Sequence, residues 1–210
     1  MQQFSYQNQE LYCEDMSLAV LAEQYGTPLY VYSRAAICER YGAIREAFGE
    51  DAHICYAVKS NSNLSLLRAF HELGAGFDLV SGGELRRLQA AGVPTSGAVF
   101  AGVGKQEWEI REALAAGILF FNLESEQELE IFDQVVSDLG VTARLAVRLN
   151  PDVDAITHEF LTTATKQTKF GLDLTTAARV VERIHATEGL ELVGYHVHLG
   201  SFLHESDPYL

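Results

Sequence analysis

A few side chains in this sequence can do chemistry, and each stands near the end of a run that reads as a strand. Lys59 closes such a run in HICYAVKSN (53–61), where Ile54, Tyr56, Ala57 and Val58 are its apolar members. Partial desolvation disfavours the ammonium form of a lysine, so that its amine can attack an aldehyde and form a Schiff base. The alternative for a strand-end lysine is a surface charge capping the sheet. Asp78 follows Phe77 in GFDLVS, and Arg148 stands in AVRLNP. They are either a buried ion pair on the rim of the sheet or polar groups around a ligand. GYHVHLGS (194–201) sets His196 and His198 two residues apart, on one face of a strand. Such a pair suggests a metal, but zinc takes further protein ligands, and His158, His185 and His204 lack ligand spacing, so no metal is expected. A single inward histidine used as a flat stacking surface is more economical. Beyond it Gly200 offers an amide and Ser201 a hydroxyl to an oxyanion or phosphate.

These residues meet only if the runs form a parallel sheet. Strands are expected at 54–59, 77–81, 98–101, 118–122, 143–149 and 191–198, with helices at 64–73, 84–91, 106–116, 125–139 and 176–187 between them. Gly74, Gly92, Gly117 and Gly140 close successive helices, and the alternation is that of parallel crossovers. In a parallel barrel the C-terminal strand ends then gather an amine, a carboxylate, a guanidinium and an imidazole around one mouth. Helix 125–139 is expected to turn Leu129, Phe132, Val136 and Leu139 to the sheet, with Glu126, Glu128, Glu130 and Asp133 largely opposite. Ahead of these units the spacing predicts a helix over 16–25, a short strand LYVY at 29–32 and a helix capped by Ser33. Residues 151–170 form a long connection leaving the C-terminal end of a strand, the face on which parallel sheets carry their sites; the alternative is an insertion without chemistry. Six strands do not close an eight-stranded barrel. An open doubly wound sheet would carry a Gly-rich phosphate turn after its first strand, and none follows Lys59. The chain is therefore expected to be the front part of a longer protein, stopping in the first turn of a helix capped by Asp207 with Pro208 behind it.

At 210 residues and 48% apolar composition the chain can bury a large core. Fifteen basic against twenty-nine acidic residues give a net charge of -14, a field that repels nucleic acid and anionic membranes. An anionic ligand must therefore be held locally, by backbone amides, helix N-termini and a few chosen cations. The opening MQQFSYQNQELYCED has neither a basic nor an apolar leader segment, so no signal peptide or membrane anchor is expected. Cys13, Cys38 and Cys55 are odd in number and lack CxxC spacing, which argues against a disulfide framework and fits a reducing cytoplasm.

A Schiff-base lysine, a stacking histidine and a Gly-Ser turn for a phosphate together describe a site for pyridoxal phosphate. YAVKSN around Lys59, GFDLVSGGEL (76–85), VRLNPDVDA (147–155), TKFGLD (168–173) and GYHVHLGS (194–201), in that order, resemble the fold-type III, alanine-racemase-like decarboxylases, which use this cofactor. The resemblance implies an α/β fold of the (β/α)8 barrel type, about six of whose βα units fall in residues 33–210, with residues 1–32 contributing a strand to a C-terminal β-domain. It implies Lys59 as the lysine bonded to the cofactor, His198 stacked on its ring, and Gly200 with Ser201 at its phosphate. Asp78 and Arg148 match polar groups near the ring and its histidine, Glu84 matches an acidic group at the same mouth, and His196 matches no cofactor role. The implied reaction is decarboxylation of an amino acid. NPDVDA and KFG lean toward the branch that converts meso-2,6-diaminopimelate to lysine, with arginine, ornithine or carboxylated polyamine decarboxylases, or a homologue without catalysis, as alternatives. A homodimer with shared sites is also implied. The family's proton-donating cysteine from the partner subunit, the group facing the pyridine nitrogen and the Gly-rich phosphate loop are expected after Leu210, and Cys13, Cys38 and Cys55 do not match that cysteine. Phe202 departs from the glutamine usual after the Gly-Ser pair, which touches local contacts and not the lysine.

Overall fold

Large apolar residues alternate with small or polar ones along the strands, and that alternation decides which face of each sheet is covered. The computed structural model describes residues 3–150, 170–198 and 200. The expectations for the 151–169 connection, for Ser201 and Phe202 and for the terminal helical turn lie outside them. The chain divides into two compact units, residues 1–54 with 72–74, and residues 55–71 with 75–210.

In the first unit β1 (Phe4–Gln7), β2 (Glu10–Cys13) and β3 (Met16–Ser17) form an antiparallel sheet. This hairpin is not apparent in the sequence. Its turn residues Asn8 and Gln9 take φ of 51° and 69° without the glycine that usually marks such a turn. The helix α1 (Leu18–Tyr25) follows, capped by Ser17, and α2 (Arg34–Phe48) is capped by Ser33, whose hydroxyl accepts from the Ala36 amide at 3.0 Å. The expected strand at 29–32 is absent. Tyr30 and Tyr32 are exposed, and among the described residues no neighbouring strand pairs with that backbone.

The second unit is built on a parallel sheet of six strands in chain order. They are β4 (Cys55–Ala57), β5 (Gly76–Leu79), β6 (Ala98–Phe100), β7 (Phe120–Leu123), β8 (Ala143–Leu149) and β9 (Leu190–Val197). Between them run α3 (Leu64–Glu72), α4 (Gly82–Ala90), α5 (Glu107–Ala115), α6 (Glu126–Leu139) and α7 (Leu174–Ala186). Each strand pairs with the next in sequence, so every crossover advances in one direction, as in a barrel.

Register sorts the side chains into two faces. Ala57, Asp78 and Val99 are opposed across β4, β5 and β6; Asn122, Ala146 and Gly194 are opposed across β7, β8 and β9, and Arg148 faces His196. These residues share the inner face. The outer face carries Phe77, Leu79, Phe100, Phe121, Leu123, Leu145 and Val147, none more than 1% exposed. They join Leu67, Leu85, Leu88, Ile110, Phe132 and Val180 of the helices in one core. Each such side chain contributes roughly 1.5–3 kcal/mol by leaving water. The helices thus take the apolar residues, and polar groups are left to the inner face.

Two boundaries near the site differ from expectation. The strand predicted over 54–59 stops at Ala57, and Val58–Ser60 form a 3-10 turn in which the Ser60 hydroxyl donates to the Ala57 carbonyl at 2.7 Å. On α6, Leu129, Phe132 and Val136 are buried as the spacing requires, but Leu139 is 44% exposed and Glu128 is buried. Gly140 ends that helix at φ 63°, with its amide donating to the Val136 carbonyl, a left-handed cap that costs least with glycine.

Candidate active site

Several helices of the second unit begin in the same way. Ser81, Gln106 and Ser125 cap α4, α5 and α6, and each is followed three residues later by a glutamate: Glu84, Glu109 and Glu128. In α4 and α6 that glutamate reaches past its cap to the residue before it. Glu84 accepts from the Val80 amide at 2.8 Å, and Glu128 accepts from the Glu124 amide at 2.9 Å. Each carboxylate ties the C-terminal end of a strand to the first turn of the following helix. The ends of β5, which carries Asp78, and of β7 are tied in this way.

Lys59 stands just beyond β4, on the 3-10 turn, and is exposed. Because the strand ends two residues earlier, the partly desolvated position expected for it is not what the described residues make. It lies within electrostatic reach of its neighbours, since its charge favours ionisation of Asp78 and Glu84 and disfavours protonation of His198. Asp78 is half-buried on the inner face. Burial pushes its carboxyl up, Lys59 and Arg148 pull it back, and Glu124 adds to the rise. Burial also raises Glu84, against the stabilising Val80 amide.

Arg148 is buried, but its partner is not Asp78. Its Nη1 donates to both oxygens of Glu124, at 2.7 and 2.9 Å. The sheet order explains this, because Asp78 lies on β5 and two strands separate it from β8, whereas Glu124 directly follows β7 at the adjacent strand end. Phe170, Gly171 and Leu172 of the KFGLD motif lie against the same arginine. The guanidinium carbon lies 5.2 Å from the Phe170 ring centroid, and the Leu172 amide donates to the Arg148 carbonyl at 2.8 Å. A Cβ on Gly171, already at φ 79°, would stand 3.2 Å from both Cγ and the carbonyl oxygen of Arg148. Part of that motif therefore exists to hold Arg148. Asp173 then caps α7, accepting from the Thr175 and Thr176 amides at 3.0 Å.

His196 and His198 point to the inner face of β9, as their spacing requires. Burial first, then the Arg148 cation, lowers both imidazoles; His196 falls to about 4, with His198, Lys105 and Lys59 adding to the shift. Both rings are neutral at pH 7. His196 Nδ1 and Asn122 Oδ1 are buried on this face without a hydrogen-bond partner among the described residues. Gly200, just past the strand, has φ 144°, a conformation that L side chains rarely adopt and that favours glycine. Among the described residues no cluster of three or more His, Cys, Asp or Glu is placed to hold a metal ion.

Three charged residues that the sequence did not single out complete the arrangement. Glu124, Glu128 and Lys105 are each no more than 4% exposed. The Lys105 ammonium donates to the Asn122 carbonyl at 2.6 Å and lies 3.3 Å from Glu128. Two signals pointed to them: a lysine on the loop after an apolar strand, as at Lys59, and the Ser-x-x-Glu spacing shared by Ser81/Glu84 and Ser125/Glu128. Chemically the mouth offers an amine able to add to an aldehyde, neutral imidazoles, carboxylates and a fixed guanidinium.

The profile for the pyridoxal-dependent decarboxylase, pyridoxal binding domain, matches residues 34–210. The chain is 48% identical to the diaminopimelate decarboxylase of Aquifex aeolicus over 204 residues, covering 97% of this chain and 48% of that relative. It is 46% identical to the diaminopimelate decarboxylase of Pseudomonas aeruginosa, covering 100% of this chain and 51% of the relative. The crystal structure of diaminopimelate decarboxylase from M. jannaschii in complex with L-lysine superposes with a TM-score of 0.91 at 35% identity, covering 99% of this chain and 50% of that one. A lysine/ornithine decarboxylase from Vibrio vulnificus superposes with a TM-score of 0.75 at 26% identity, covering 91% of this chain and 47% of that one. The chain thus spans about half the length of the curated relatives it matches. Its six parallel strands and the five helices between them are the corresponding part of a (β/α)8 barrel. With its strand order, its polar inner face and its sequence all in agreement, the chain belongs to the pyridoxal-dependent decarboxylase family.

Proposed function

We propose that this chain supplies the pyridoxal-phosphate-binding barrel units, residues 33–210, of a decarboxylase that converts meso-2,6-diaminopimelate to L-lysine and carbon dioxide. The observation that carries the proposal is the convergence of Lys59, Asp78, Arg148 and His198 at one end of the inner face, where the charges of Lys59 and Arg148 act on both Asp78 and His198. The donor set fits the cofactor. Lys59 is the exposed primary amine that takes its aldehyde, neutral His198 is a flat surface for its ring, and Gly200, in a backbone conformation that favours glycine and followed by Ser201, serves its phosphate. Arg148, pinned by Glu124, and Asp78 and Glu84, raised by burial, line the polar edge of the same mouth.

Bound pyridoxal phosphate supplies the electron sink that lets a carboxylate leave an amino acid as carbon dioxide. This chain's residues supply the rest of the environment. In a chain whose net charge is -14, a field that opposes a phosphate and a dicarboxylate substrate, Lys59 and Arg148 place positive charge locally at the mouth. His198, kept neutral by burial and by Arg148, stacks without adding a further charge. A homodimer with shared sites and a cytoplasmic setting belong to the same proposal; the free thiols of Cys13, Cys38 and Cys55 fit a reducing compartment.

A second substrate assignment, ornithine or a related diamine precursor, is favoured by the likeness to the lysine/ornithine decarboxylase, though at lower identity and TM-score. Carbon dioxide release from meso-diaminopimelate, ornithine and arginine separates the assignments. Release from diaminopimelate alone is expected. The 210 residues alone are expected to be inactive, so the assay uses the full-length protein: release from ornithine or arginine instead would move it to a sister activity, and cofactor binding without release from any would make it a non-catalytic homologue.

A further inference from the structure

Beneath the strand ends, Lys105, Glu128, Glu124 and Arg148 are no more than 8% exposed and form one chain of contacts. Lys105, on the loop after β6, donates from Nζ to the Gly102 carbonyl at 2.8 Å and the Asn122 carbonyl at 2.6 Å, and pairs with Glu128 at 3.3 Å. Glu128 also accepts from the Lys105 amide at 3.3 Å and from the Glu124 amide at 2.9 Å. Glu124 places both carboxylate oxygens on Arg148. Two cations face two carboxylates; burial lowers the Lys105 ammonium, and Glu128 and Glu124 oppose that shift in part.

Buried ion pairs add little stability over apolar residues of the same shape, so stability alone does not account for such a chain. Its geometry does. The turn between β7 and α6 is gripped on both sides: Lys105 holds the Asn122 carbonyl entering it, and Glu128 holds the Glu124 amide within it. The carboxylate on that turn fixes Arg148, the cation that acts on Asp78, His196 and His198. We propose that Lys105 is a positioning residue for the cofactor site, setting the β7–α6 turn through Asn122 and Glu128, and through Glu124 the guanidinium of Arg148. The proposal rests on the assignment of the inner face as a pyridoxal phosphate site.

The test is equilibrium dialysis of pyridoxal phosphate against the intact protein, with melting temperatures measured on the same cofactor-free samples. Lys105→Met is expected to weaken cofactor binding about tenfold, the loss of one hydrogen bond to a charged group. Glu124→Gln weakens it similarly, and the double variant Lys105→Met/Glu124→Gln loses no more than either alone, because both act through one chain. Lys105→Met/Glu128→Leu removes the buried pair together, so its melting temperature returns toward wild type while cofactor binding stays weakened. Affinity that recovers with the melting temperature would make Lys105 merely structural, and additive losses would separate it from Glu124; either overturns the proposal. Wild-type binding left unchanged by Lys105→Met overturns the positioning role alone, whereas a wild-type protein that binds no pyridoxal phosphate overturns the cofactor site as well.

Discussion

His196 lies on the inner face opposite Arg148, and burial with that cation lowers its imidazole from 6.5 to about 4. Between those values the unfolded chain binds the proton and the folded chain does not. Its contribution to stability is therefore complete above about pH 6.5 and is lost as pH falls toward 4. A ring titration followed by NMR should give a midpoint near 4, and the stability of His196→Gln should fall less steeply than wild type across that window. A midpoint at the ordinary value would contradict the burial described for it. Asp78 has the opposite sign: its carboxyl is raised, so it favours folding at low pH and loses that contribution as pH rises through its folded value. Comparison with the variant, and not the wild-type curve alone, isolates the histidine. Breaking the buried pair by Glu124→Gln leaves Arg148 without its carboxylate and should cost about 3–5 kcal/mol in urea unfolding. At this scale Lys59, Asp78, Arg148 and His198 are legible in the sequence because polar residues interrupt apolar strand ends. Glu124 is not, because in FNLESEQEL it shares a run with Glu126 and Glu128 and looks solvated; Glu128 has the Ser-x-x-Glu spacing, but its place on the polar side of the helix hides its burial.

Elements are set by caps and by close approach. Ser125 accepts from the Glu128 amide at 3.2 Å at the start of α6, so Ser125→Ala should reduce stability by about 1 kcal/mol in denaturant titration. Gly82 opens α4 against Trp108 of α5, and a Cβ there would come within 2.6 Å of the indole ring. Gly82→Ala should therefore destabilise by roughly 1–3 kcal/mol, and Trp108→Leu in the same chain should recover part of it. Full additivity of the two changes would contradict a steric cause. The parallel units are readable because each has a hydrophobic run and the helices α3 to α6 are followed by a closing glycine; β8 matches its expected span of 143–149. The hairpin of β1 and β2 is hidden by a turn without glycine, and LYVY is strand-like in composition but has no strand partner among the described residues. Strand propensity describes a surface that fits a neighbour, and it cannot supply the neighbour.

At the scale of the molecule, the sheet of the second unit runs from β4 to β9 without closing among the described residues. Tyr195 and Val197 on β9 are 60% and 50% exposed. An edge strand with exposed apolar side chains is a template for association. These 210 residues expressed alone should therefore form larger species in light scattering, and Val197→Lys should reduce them. The strand count already implied an incomplete barrel, and the relatives are about twice as long. Fold direction and family follow from repeated short-range signals. The partnership of Arg148 with Glu124, by contrast, needed the strand order. All three scales converge on one amine, which reduction by borohydride in the presence of pyridoxal phosphate, followed by peptide mapping, examines most directly. A single pyridoxyl adduct on Lys59, lost in Lys59→Ala, is the predicted result; an adduct confined to another lysine, or none, would contradict the assignment.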